Sequence, residues 1–144
     1  WALLMLFGAA VYGKSLLSSG LFGLYIVNSL AFTVVAVAIG FATGSFVKTE
    51  SSQAGAVNVI ALGMSFLCGV FVPQYVLSRS VLAFAKFLPT YWYIRANDAI
   101  GSLPGSASNN LQPIYTSILI QLGFAAAIFS VTMLLSKERR LAQL

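Results

Sequence analysis

Apolar and polar positions along this chain fall into long blocks. Phe22–Val47, Ser51–Ser78 and Ile100–Ser136 carry no charged residue, and Trp1–Gly13 is a fourth uncharged stretch. A bilayer core about 30 Å thick needs roughly 20 helical residues at about 1.5 Å each. The three long blocks meet that length and the first nearly does. The pattern therefore predicts an all-α membrane protein, a single domain over residues 1–144. Its helices are expected over about 1–12, 21–47, 54–72 and 114–136, forming a four-helix bundle.

The breaks between blocks set the helix ends. Gly13-Lys14-Ser15 and Ser18-Ser19-Gly20 read as a turn, and Lys48-Thr49-Glu50-Ser51-Ser52-Gln53 as a tight polar loop. Pro73 ends the third helix, because it has no amide hydrogen and disfavours helical geometry at Val72. Gly101–Pro113 is a turn-rich loop, and Lys137-Glu138-Arg139-Arg140 closes the last helix with a basic stop.

Between Pro73 and Ser102 the pattern changes. Val81, Phe84, Ala85 and Leu88 share one helical face, with Arg79 and Lys86 elsewhere on the wheel. That run is too short to span, so it predicts an interfacial helix. Pro89 stops it and Thr90 caps a second start. Tyr91-Trp92-Tyr93 then favours the headgroup level, and Arg95 and Asp98 are spaced to pair on one face. The prediction is a re-entrant or interfacial helical hairpin over about 78–100.

Composition reinforces this picture. The chain is 59% hydrophobic and 8% charged, where a soluble domain carries about 25% charged residues. The net charge of +5 flanks apolar helices, so it points to topology and anionic headgroups rather than to nucleic acid. The basic residues split evenly, with Lys48, Lys137, Arg139 and Arg140 on one side and Lys14, Arg79, Lys86 and Arg95 on the other. The cluster at Lys137–Arg140 lies directly at a helix end, where the positive-inside rule weighs most, and places the C-terminus in the cytoplasm. The single cysteine, Cys68, has neither a disulfide partner nor a histidine with which to hold a metal. It reads as a small apolar side chain.

Small residues recur every fourth position at Ala36, Gly40 and Gly44, and again at Ala61, Ser65 and Gly69. Such stripes let helix backbones approach closely. Asn28, Asn58 and Gln121 are the polar span residues that cost most to leave unpaired in lipid, so they face other helices or line a translocation path. Thr33, Ser65, Thr116 and Thr132 accompany them.

Candidate chemistry is sparse. Gly8–Ser15 matches the phosphate-binding pattern G-x-x-x-x-G-K-[ST], yet its apolar flank belongs to a membrane segment. The only acids are Glu50, Asp98 and Glu138, none of them at the end of a buried strand to hold Mg²⁺. There is no histidine, and no predicted span contains an Asp, Glu, Lys or Arg to relay protons. The reading is that the chain is not an enzyme, has no catalytic, metal or cofactor-binding residue, and takes energy for any uphill transport from another chain.

Gly69-Val70-Phe71-Val72-Pro73, a short amphipathic helix, then Phe87-Leu88-Pro89-Thr90-Tyr91-Trp92-Tyr93 with Arg95 after it, a polar loop and a final helix with a basic end form a familiar order. It resembles the C-terminal part of the permease subunits of type-2 ATP-binding-cassette exporters. That family carries a G-x-x-x-P stretch at the end of its fifth helix, then two short external re-entrant helices with an L-P-x-x-Y type signature. The resemblance implies the last four of six helices, with the chain N-terminally truncated and the coupling helix lying before Trp1. It further implies a multi-pass protein of the plasma membrane, paired with an identical or related permease and driven by a separate ATPase subunit. Pro73, Pro89, Tyr91, Trp92 and Arg95 would then belong to an outer gate, and Lys48, Glu50, Arg139 and Arg140 to cytoplasmic contacts. A membrane scaffold or assembly protein, or a passive channel, are the alternatives.

Overall fold

The computed structural model describes residues 20–103 and 110–141, and five helices with no strand are found among them. They are α1 (Gly20–Phe46), α2 (Glu50–Cys68), α3 (Arg79–Ala85), α4 (Pro89–Gly101) and α5 (Gln112–Leu141). Three of them, α1, α2 and α5, are long and apolar enough to cross a membrane. The expected helix over 1–12 and the Gly8–Ser15 pattern lie outside the described residues, which hold three helices able to span rather than the four expected.

Several expected boundaries move for local reasons. The polar loop after α1 shrinks to Val47-Lys48-Thr49, because Thr49 caps α2 by accepting from the Ser52 amide at 3.4 Å. Glu50–Gln53 thus become its first turn, with Glu50 at the positive end of the helix dipole. At its other end α2 stops at Cys68, four residues before the last residue ahead of Pro73. Gly69 adopts a left-handed conformation (φ 101°), and the amides of Gly69 and Val70 both turn back to the Ser65 carbonyl. A Cβ on Gly69 would stand 2.6 Å from Gln74 Cγ, so this cap needs glycine on two counts. Finally, α5 starts at Gln112 and runs to Leu141, so the basic cluster expected beyond its end lies within its last turns.

The hairpin takes shape between α2 and α5 as two short helices. Ser78 caps α3 by accepting from the Val81 amide. Thr90 does not cap α4. That helix begins at Pro89, whose fixed φ suits the first helical position, and Thr90 is buried with its hydroxyl donating to Met64 Sδ at 3.3 Å. Ala85, Leu82 and Leu88 turn inward on Cys68 and Tyr91, while Phe84, expected on that face, is exposed.

Packing orders these elements. Asn28 meets Gln121, Val35 packs with Ala125, and Phe41 stacks on Phe129 at 5.0 Å, so α1 and α5 run parallel. The chain runs out through α1, back through α2, and out again through α5. At about 1.5 Å per residue, the 19 residues of α2 reach about 28 Å, whereas the 27 of α1 reach about 40 Å. The space left beyond the end of α2 is filled by α4, which is antiparallel to α1: Tyr93 lies at Phe32, Asn97 at Asn28 and Gly101 at Tyr25. Burial follows. In the best spanning window of α2 only 6% is buried, against 22% for the other two spans. Helix α2 is the open side of the bundle.

Candidate functional site

Two features meet at α4. The first is a buried polar node. Asn28 Nδ2 donates to Asn97 Oδ1 at 2.9 Å and to the Tyr93 carbonyl at 3.1 Å, while its Oδ1 accepts from Gln121 Nε2 at 2.8 Å. Gln121 Nε2 also donates to the Ser117 carbonyl at 3.3 Å. Asn28 and Gln121 are completely buried. One amide thereby ties α1, α4 and α5 together.

The node is not fully satisfied. Gln121 Oε1 is buried without a hydrogen-bond donor. Flipping the amide would place an oxygen against Asn28 Oδ1 and the Ser117 carbonyl, both acceptors, so the orientation is set by its neighbours. A buried acceptor left in this state costs about 1–3 kcal/mol.

The second feature is an apolar cleft of about 360 Å³ between α1 and α2, closed at one end by Thr90 and Tyr93 of α4. Ala36 and Gly40 line one wall, Ala61 and Ser65 the other. The small-residue stripes thus border a cleft rather than a close backbone seam. A Cβ on Gly40 would meet nothing within 4 Å, and in the α1 stripe Gly44 alone is crowded, by Gln53 Nε2 at 3.2 Å. Tyr93 stacks on Phe32 with centroids 4.6 Å apart.

The sequence candidates separate accordingly. Asn28 and Gln121 come together, but Asn58 is exposed on α2 in a shallow recess with Glu50 and Gln53. Thr33, Ser65 and Thr132 each donate to a carbonyl four residues back on their own helix. Of the gate candidates, Pro89, Tyr91, Trp92 and Arg95 share α4, while Pro73 lies apart in an exposed turn. Arg95 and Asp98 do not pair, and no salt bridge forms among the described residues. The Arg95 guanidinium instead lies 5.3 Å from the Trp92 ring centroid. The aromatic triplet also splits. Tyr91 is buried against Cys68 and Ala85, and Tyr93 turns toward α1. Trp92 and Tyr93 are both half exposed, and Trp92 Nε1 donates to the Lys86 carbonyl at 2.9 Å. Lys48 and Glu50 are exposed at the α1–α2 turn, and Arg139 and Arg140 belong to the end of α5.

Sequence reasoning missed Asn97 and Gln74. Asn97 lies four residues from Tyr93 and three from buried Ile100, a spacing that places all three toward one side of α4. Gln74 Nε2 bridges the Cys68 and Tyr91 carbonyls at 2.8 and 3.2 Å, fastening the hairpin to the end of α2. No sequence period marks a residue in a turn. Among the described residues no group of side chains is suited to hold a metal ion. The sequence matches no known family, and no characterised protein or solved structure is detectably related to it.

Proposed function

We propose that the chain is the C-terminal membrane part of an ATP-binding-cassette export permease, a half-path that does no chemistry and is driven by a separate ATPase subunit. The observation that carries this reading is the hairpin: a pair of short helices that does not span, inserted on one side of the bundle and held there by a buried polar node. A gate needs such an element, anchored by few bonds yet packed among spans. In this reading α4 is the gate, with Tyr91, Trp92 and Arg95 on it. Helix α2, the least covered span, faces a second permease copy in the plasma membrane, and the C-terminus is cytoplasmic. Co-purification of the full-length protein from mild detergent should retrieve an ATP-binding-cassette subunit whose hydrolysis rate responds to substrate. Absence of both would sink the proposal.

A second reading, a membrane scaffold without transport, is favoured by one observation. Asn28 spends its whole amide on neighbouring helices, with Gln121 as one donor to it, as packing residues do. Ion-flux and substrate-uptake assays in proteoliposomes with and without the ATPase distinguish the two readings, and a flux without ATPase would instead indicate a passive channel.

A further inference from the structure

Between the outward side of α4 and the first turns of α5 lies a recess of about 230 Å³, lined by Trp92, Arg95, Gln112, Pro113, Thr116 and Ser117. Its chemistry is one-sided. Arg95 supplies a full positive charge, and its only partner among the described residues is the Trp92 ring. The Gln112 amide and the Thr116 hydroxyl make no hydrogen bond among the described residues, although Ser117 beside them donates to the Pro113 carbonyl at 2.8 Å. No carboxylate lines the recess; Asp98, three residues on from Arg95, is exposed and unpaired. Arg95, Gln112 and Thr116 are exposed at this recess, so an uncompensated cation stands there beside two neutral groups able to donate, with no carboxylate among the lining residues. Trp92, half exposed with an apolar ring and a bonded tip, is the kind of side chain that lies at a membrane–water boundary.

We propose that the recess of Trp92, Arg95, Gln112 and Thr116 binds an oxyanion, the phosphate group of an anionic lipid or of a soluble molecule. Arg95 supplies charge and a planar fork for two oxygens, stacking on Trp92 keeps that fork in place, and the Gln112 amide and Thr116 hydroxyl donate to what remains. The site stands whether or not the chain is a permease.

The test uses Trp92 as the sole tryptophan (Trp1→Phe) in vesicles of phosphatidylcholine and phosphatidylglycerol, with one or the other brominated. Quenching of Trp92 then reads the lipid beside it. A single arginine near a membrane surface corresponds to about a fivefold preference for the anionic lipid. That preference should persist in Arg79→Gln, weaken in Arg95→Lys, which keeps the charge without the fork, vanish in Arg95→Gln, and fall about twofold in Thr116→Val, as loss of one neutral donor predicts. Inorganic phosphate, added against chloride of equal ionic strength, separates the sources: displacement assigns the site to a soluble oxyanion, and no displacement assigns it to the lipid headgroup. Equal quenching by both lipids with no response to phosphate overturns the proposal. So does an equal loss in Arg79→Gln, which would mean diffuse attraction to the surface.

Discussion

Asn28→Leu is the most informative single change, because one side chain links three helices. It removes three hydrogen bonds, to Asn97 Oδ1, the Tyr93 carbonyl and from Gln121 Nε2. Inter-helix hydrogen bonds in membrane proteins average about 0.6 kcal/mol, so the three together give about 2 kcal/mol. The loss falls on the docking of α4 more than on α1 or α5, since those two also share the Val35–Ala38–Ala125 cluster. Cys68 reports that docking. It is the only cysteine, completely buried beneath Ala85 and Tyr91, and reachable only when the hairpin lifts. If alkylation follows the open population, about 2 kcal/mol raises its rate about 30-fold, at tenfold per 1.4 kcal/mol. The assay is the rate of Cys68 modification by N-ethylmaleimide in proteoliposomes, with Gln74→Leu as a control that acts directly at the Cys68 and Tyr91 carbonyls. A rate within twofold of wild type for Asn28→Leu, with Gln74→Leu accelerated, would refute the node as the hairpin's anchor.

Gln121→Met should destabilise by about 1–3 kcal/mol, because it trades the orphaned Oε1 for an orphaned Asn28 Oδ1 and loses two bonds; denaturant titration in micelles measures it. Gly69→Ala should destabilise by about 2 kcal/mol or more in the same titration, since its left-handed φ alone costs about 1–2 kcal/mol and the Gln74 contact adds to it. Gly40→Ala should stabilise by up to about 1 kcal/mol through helix propensity, as nothing opposes the added methyl. A loss of that size instead would show a backbone seam where the structure has a cleft. Thr49→Ala should cost about 1 kcal/mol by uncapping α2, seen as reduced helicity on mild heating.

Spans were legible because bilayer thickness imposes a length on any charge-free run, and α1, α2 and α5 obey it within a few residues. The hairpin was legible for the same reason in reverse: Arg79, Lys86, Arg95 and Asp98 interrupt a segment too short to cross. Ends set by capping were less so. Pro73 was the visible breaker, yet Gly69 ended α2 first, because a left-handed cap can end a helix wherever glycine occurs near its end.

The chain's one-dimensional order thus marked which described segments are long and apolar enough to cross and which is too short, since both depend on transfer of local stretches between water and lipid. Tertiary structure alone decided the partners. Asn28, Asn58 and Gln121 are equally costly in lipid as residues. Only the packing of α4 against α1 and α5 made two of them a node with Asn97 and left Asn58 at the surface. Likewise, a stripe of small residues permits close approach without requiring it. Helix α2 ends early and α4 fills the space beyond it, so Gly40 and Ala61 border a cleft instead of a seam.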